Sequence, residues 1–464
     1  MGQFRILKIR KLKYLTLINQ ELPMTTSFNP NKTFDELGIA PKLLEILTRH
    51  KFFHPTPIQE QSIPPAIAGK DLMGIAQTGT GKTLAFGIPM IQRIAQSQGK
   101  IIGLVILPTR ELALQVDQTL KKIGESIGLR TAILIGGENP AKQHKALSLK
   151  PQIIIATPGR INDFIQNSRL NLSKVGILVL DEADRMLDMG FAPQIKKIIQ
   201  AVPRQRQTML FSATMPQAIV AMAKSYMTLP LRVEVAPSGT TVKQVTQELF
   251  FVDSRDKISL LANILKQYPG SVLIFCRTKF GAKKITHKIR AMGYTANEIH
   301  SNRTLNQRLE ALEGFKIGRY RILVATDIAA RGIDVTNIQL VLNYDLPENP
   351  EDYIHRIGRT ARAGRTGHAI SFATPDQHGD IKGIERLIRT SLPVSATPAL
   401  PRIEPLVMPA GAKPAFGPKP NQNLNRYKLG RFQPQNTQNG NNSYRRRRSG
   451  QRSNRSAGQK KWSR

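Results

Sequence analysis

Cysteine is almost absent from this chain. Its 464 residues include one, Cys276, which excludes a disulfide framework and any zinc site built from several thiolates. A single thiol also fits a reducing, cytoplasmic compartment. Long apolar runs are missing too. None approaches the ~18–20 residues of a spanning helix, which argues against integral membrane association. Acidic residues are outnumbered, 32 Asp and Glu against 68 Lys and Arg, for a formal charge of +36. That excess predicts a polyanionic partner, either nucleic acid or an anionic membrane face. Hydrophobic residues, at 40%, suffice for real cores. At about 100–200 residues per domain, the length predicts two or three domains.

The charge is uneven. Residues 394–464 carry 15 Lys and Arg and one acid, Glu404. They are rich in Asn, Gln, Pro, Gly and Ser and poor in Ile, Val and Leu. Such a segment cannot bury enough apolar surface to offset its ordering entropy, so it reads as a disordered basic tail. Tyr427, Phe432, Tyr444 and Trp462 lie among its arginines. Cations for phosphates and rings for bases form a single-strand-binding composition; the plainer reading is a tail that only aids solubility. Residues 1–32 form a basic extension, expected to be unstructured. It lacks a secretory apolar region with a small-residue cleavage site, and Ile6 breaks the myristoylation pattern. A presequence or membrane-surface helix is the competing reading, and Met24 is a candidate start.

Residues 33–393 have an α/β pattern. Short runs of Ile, Leu and Val alternate with amphipathic stretches such as 109–128. The runs at 71–76, 101–108, 131–137, 152–158, 175–181 and 207–214 read as buried parallel strands. A second series follows at 247–253, 271–276, 296–300, 320–327, 338–345 and 368–374. Two tandem doubly wound parallel-sheet domains are expected, at 33–228 and 244–393, joined by a linker at 229–243. Ligands of such sheets bind at the carboxyl ends of the strands. A ligand between two sheets is therefore touched by both, which predicts an enzyme completed by domain closure.

Three motifs carry chemistry. The stretch 76–83, AQTGTGKT, follows an expected strand and opens a helix. Gly79 and Gly81 let backbone N–H groups close on phosphate oxygens at a helix N-terminus. Lys82 can reach the β and γ phosphates, and Thr83 can ligate Mg²⁺. Ala76 stands where the general pattern has Gly. VLDEAD, 179–184, ends a strand in two acids. Asp181 is the metal-side carboxylate, and Glu182 is placed to orient and deprotonate an attacking water. HRIGRTARAGR, 355–365, spaces Arg356, Arg359 and Arg362 on one helical face. A solvated basic helix is the ordinary reading. Phosphoryl transfer, however, needs a cation beyond Lys82 and the metal, and an arginine from the second domain would couple hydrolysis to closure.

With these motifs in order, the chain resembles the DEAD-box ATP-dependent RNA helicases of superfamily two, most like the bacterial RhlE-type subgroup, over residues 33–390. The resemblance implies two RecA-like domains, ATP with Mg²⁺, and RNA of low sequence specificity. Phe34 and KFFHPTPIQ, 51–59, match the adenine-recognising segment. There Gln59 would read the base edge and Phe34 would stack near it; Lys51 replaces the usual Gly. Gln77, Thr78, Gly79, Thr80, Gly81, Lys82 and Thr83 would hold the phosphates. PTREL, Gly136–Gly137 and TPGR imply RNA contacts at Thr109, Arg110, Gly137, Thr157 and Arg160. Ser212 and Thr214 of SAT would link Asp184 and His355, coupling ATP state to strand separation.

In the second domain Arg277, Arg308 and Thr326 would contact RNA and Asp334 the ribose of ATP. Arg359 and Arg362 would act as arginine fingers, and Ala361 replaces a frequent Gly. Leu305 stands where the family has Gln, three residues before Arg308. Leu305 cannot hydrogen-bond and weakens RNA engagement or closure on this reading, so Leu305→Gln is expected not to lower RNA-stimulated ATPase. The implied activity is local, non-processive unwinding of short RNA duplexes and remodelling of ribonucleoproteins by a monomer. Ribosome assembly and RNA decay both fit. The competing functions are an ATP-gated RNA clamp or annealing chaperone with little unwinding, and a DNA helicase on the same motor.

Overall fold

The computed structural model describes residues 32–77, 79–124, 127–235, 245–327, 335, 338–361 and 367–398. The first lobe runs in chain order as α1 (Pro41–Arg49), α2 (Pro57–Ile67), β1 (Leu72–Ile75), α3 (Lys82–Gln96), β2 (Ile102–Ile106), α4 (Arg110–Gly124), β3 (Thr131–Leu134), α5 (Pro140–Ser148), β4 (Ile153–Ala156), α6 (Pro158–Gln166), β5 (Val175–Leu180), α7 (Ala183–Asp188), α8 (Ala192–Ala201), β6 (Gln207–Ser212), α9 (Gln217–Tyr226) and β7 (Leu231–Glu234). The second lobe follows as β8 (Val245–Phe251), α10 (Lys257–Gln267), β9 (Val272–Phe275), α11 (Lys279–Ala291), β10 (Ala296–Ile299), α12 (Leu305–Lys316), β11 (Ile322–Ala325), β12 (Leu340–Asn343), α13 (Pro350–Ile357), β13 (Gly367–Ala373) and α14 (His378–Ile388). Both sheets fall within one compact unit.

The expected twelve strands all form, and every strand pairing is parallel. The apolar runs are continuous because both faces of each sheet are covered. Successive residues serve opposite cores: Ile177 and Val179 of β5 join one cluster, Leu178 and Leu180 the other. In β9, Val272 and Ile274 likewise face away from Leu273 and Phe275. The first sheet has the order β3-β4-β2-β5-β6-β1-β7 and the second β10-β11-β9-β12-β13-β8. In the first, β6 lies between β1 and β5. The segments that leave β1, β6 and β5 therefore emerge side by side at one edge of the lobe.

Two boundaries differ from the expectation. The start of the linker is a strand: β7 pairs with β1, with Val233 buried and the charged Arg232 and Glu234 outside. Residues 236–244 lie outside the described residues. The basic tail begins later than 394, because residues there dock on the edge strand β8. Leu249 donates its N–H to Pro393 O (2.9 Å), and Ser395 returns its own N–H to Leu249 O (2.9 Å). An edge strand offers unpaired backbone groups, and these residues cover them.

Candidate active site

The phosphate loop is shaped by two glycines with positive φ, Gly79 at 90° and Gly81 at 92°, a region closed to most side chains. It delivers Lys82 to the first turn of α3. The Lys82 ammonium is buried, makes no hydrogen bond, and lies 3.8 Å from Asp181 Oδ1. Thr80 Oγ1 donates to Gln77 O (2.7 Å), which tightens the loop. Thr83 is half-buried on the next position of α3. Gln59 reaches the loop from α2. It accepts from Thr56 N (2.9 Å) and donates to Gly81 O (3.0 Å), so its buried amide ties α2 to the phosphate loop. Phe34 departs from the stacking role. Its ring is 3% exposed, within the apolar cluster of the first lobe, so it anchors the turn Phe34–Leu37 rather than presenting an open face.

Asp181 and Glu182 follow β5, both buried. Burial pushes the Asp181 carboxyl up to about 6, against the pull of Lys82 and with the neighbouring Glu182 and Asp184 adding to the rise. This carboxylate lacks sufficient nearby positive charge, which suits a cation. Among the described residues no group of three His, Cys, Asp or Glu could hold a metal. Mg²⁺ needs none, since it is typically bound by one or two carboxylates, substrate phosphates and water. The donor set therefore fits. Glu182 caps α7 with φ 52°, in the left-handed region. A non-glycine residue holds that conformation only where its surroundings impose it.

Asp184 is the hub between β5 and β6. Its Oδ2 accepts from Ala213 N (3.0 Å), Thr214 N (2.9 Å) and Thr214 Oγ1 (3.0 Å), while its own N–H points to Ser212 Oγ at 3.3 Å. Burial disfavours its charge, but His355, Lys82 and Arg185, with the Thr214 N–H, hold the carboxyl below its ordinary value. Burial pushes the His355 imidazole down, against Asp352 and Asp184. His355 belongs to the second lobe, so the structure brings the ends of β5, β6 and α13 together.

Arg356 and Arg359 do not share a solvated helical face. Helix α13 stops at Ile357, and Arg356 is buried as a structural cation. Its guanidinium forks onto both oxygens of Asp327 (2.6 Å each) and also donates to Asn343 Oδ1 and Asp345 O. Arg359 follows in the turn, buried, with Nε donating to His355 O (3.2 Å). Thr78, Asp334 and Arg362 lie outside the described residues.

The proposed RNA contacts divide. Thr109 and Thr157 stand at the N-termini of α4 and α6, on the carboxyl edge of the first sheet. Arg110 lies against Gly136 and Gly137, whose missing side chains make room for its guanidinium. Arg160 is half-buried beside Asp163, 3.7 Å away. In the second lobe Arg277 is exposed after β9, and Thr326 is half-buried after β11. Arg308 is different. It spans the lobes to Glu111 Oε2 at 2.8 Å, both side chains largely buried. A buried guanidinium already paired with a carboxylate is an inter-lobe tie, not an open phosphate contact.

Three residues that matter escaped the sequence reading: Glu111, Arg185 and Asp352. Arg185 Nη1 meets Asp352 Oδ1 at 2.5 Å across the lobes. Nothing in their local sequence marks two charges 167 residues apart as partners.

Residues 56–222 match the DEAD/DEAH box helicase family, and residues 256–364 match the helicase conserved C-terminal domain. An "ATP-dependent rRNA helicase RRP3" of Debaryomyces hansenii is 42% identical over 370 residues, covering 79% of this chain and 78% of that protein. The chain belongs to the DEAD-box ATP-dependent RNA helicases. The "DEAD-box ATP-dependent RNA helicase CshA" of Bacillus cereus is also 42% identical, over 79% of this chain and 70% of its own length. The solved structure of S. cerevisiae Dbp5 bound to RNA and ADP BeF3 matches with TM-score 0.72 at 30% identity, covering 79% of this chain and 96% of that one. The two lobes are thus the RecA-like pair of this family of ATP-dependent enzymes.

Proposed function

We propose that this helicase closes on ATP and single-stranded RNA together, locally displaces the opposing strand of a short duplex, and reopens on hydrolysis. The observation that carries the proposal is the seating of Asp184 and His355. One helix, α7, opens at the catalytic carboxylates and also meets the second lobe. ATP state and lobe contact are therefore coupled through one element.

In this reading Lys82 and the loop N–H groups bind the phosphates, and Gln59 orients the base. Glu182 positions a water and takes its proton. Arg359, with Arg362, offsets charge building on the transferred phosphoryl group. Thr83 and Asp181 would hold Mg²⁺, which supplies charge neutralisation for the phosphates. Thr109, Arg110, Gly137, Thr157, Arg160, Arg277 and Thr326 line RNA phosphates, so selectivity among sequences is low and salt sensitivity high. The names of the relatives favour ribosomal RNA as substrate and ribosome assembly as the setting; membership of the RhlE-type subgroup and a monomeric, cytoplasmic protein complete the proposal.

The test is ATP hydrolysis with and without RNA, for the native chain and for a variant lacking both Arg359 and Arg362. RNA should stimulate the native enzyme, and the variant should lose on the order of 10³ in rate. Equal rates with and without RNA, unchanged in the variant, would end the proposal. Cross-linking the Glu182→Gln variant in cells identifies the trapped RNA. The composition of residues 399–464 favours one second reading, an annealing clamp with little unwinding. Strand-displacement and annealing assays separate the two.

A further inference from the structure

Two buried charges meet across the lobes, beside the Asp184 and His355 pair. Arg185 lies on α7, one residue beyond Asp184. Asp352 lies in the first turn of α13, one helical turn before His355. Their separation is 2.5 Å, and their side chains are 5% and 10% exposed. Asp352 Oδ1 also stands 3.9 Å from His355 Nδ1. Arg359 is tied back to His355 O. The ion pair thus joins α13 of the second lobe to α7 of the first.

We infer that Arg185 and Asp352 are a positioning pair that selects the closed arrangement of the lobes. Each charge comes from a different lobe. When the lobes part, both are rehydrated; when the lobes meet, both are desolvated and depend on each other. The whole net contribution of the pair therefore enters the closing equilibrium and none of it the folding of either lobe. Losing either partner removes that contribution from the closed state alone. The transition state and the closed ground-state complex share the loss, so it falls on RNA half-saturation rather than on the saturated rate.

The inference rests on the closing cycle proposed above. Its experiment uses the full-length chain as Arg185→Met, Asp352→Asn and the double variant, with Arg185→Lys as the charge-preserving control. RNA-stimulated ATPase gives half-saturation and kcat, and thermal melting reports folding. Both single variants should raise the RNA concentration at half-saturation by about 5–150-fold, with kcat within about twofold and melting unchanged. The double variant should be no worse than the weaker-binding single, and Arg185→Lys should recover part of the loss.

Single effects that multiply in the double variant, or half-saturation unmoved in either single, would overturn the inference. A second readout is independent of catalysis. Dyes on Ser148→Cys and Lys284→Cys, both exposed, report lobe proximity beside the buried Cys276. The Arg185→Met chain should shift toward separated lobes. If RNA fails to stimulate even the native enzyme, the functional reading falls, and the proximity shift alone decides this pair: its absence overturns the inference and its presence upholds it.

Discussion

Asp184 is buried yet ionised because three donors and neighbouring cations serve one carboxyl group. Cys276 shows the opposite result of burial. It sits in the core of the second lobe, where desolvation, reinforced by Asp345, pushes the thiol up to about 12. A raised thiol value favours the neutral form, and the thiolate is the nucleophile. A buried thiol held neutral should therefore react far more slowly with a thiol reagent in the native chain than in denaturant. Rapid labelling of the native chain would contradict this burial. Gly74 shows a steric constraint at the residue scale. A Cβ there would lie 2.5 Å from the Phe211 ring, itself fully buried. Gly74→Ala should cost about 1–3 kcal/mol in a denaturant titration; a variant as stable as the native chain would show that β1 and β6 can move apart.

Among elements, α12 belongs to two cores at once. Ala311, Leu312 and Phe315 pack in the second lobe, whereas Leu305 and Leu309 join the apolar cluster of the first, where α12 meets α4. Arg308 lies on the same face and pairs with Glu111. Leu305 is therefore not a weakened polar contact. It buries apolar surface against the cluster of the first lobe. The expectation for Leu305→Gln is accordingly reversed. Loss of about 1–2 kcal/mol of closed-state burial should raise RNA half-saturation about five- to thirtyfold, measured by RNA-stimulated ATPase. An unchanged or improved value would show that Leu305 contributes nothing to closure. The element pattern itself was legible in the sequence, because strands buried on both faces need unbroken apolar runs. The end of α13 was not. The spacing of Arg356, Arg359 and Arg362 is helical, but Gly358 turns the chain and Arg356 is drawn inward by Asp327.

For the whole molecule, the described residues of the second lobe end at 398. Residues 399–464 contain all 15 cations of the basic tail, while 394–397 complete the edge of the second sheet. A chain ending at 398 should keep its melting temperature and its RNA-free ATPase. It should need more RNA for half-saturation, with a shallower dependence on salt, because fewer counterions are released. A chain ending at 393 should in addition melt a few degrees lower. Identical melting of the two would show that the pairing with β8 contributes nothing.

The sequence by itself determined the strand series, the phosphate loop, the paired acids and hence the family. Each of these is local: a run of apolar residues or a few contiguous groups whose chemistry needs them adjacent. Only the tertiary structure decided that Arg308 and Arg185 tie one lobe to the other, that Arg356 is structural, and that Leu305 serves the neighbouring core. Those roles depend on which distant group shares a buried space. A charge or a leucine carries no sign of its partner until folding removes the water between them.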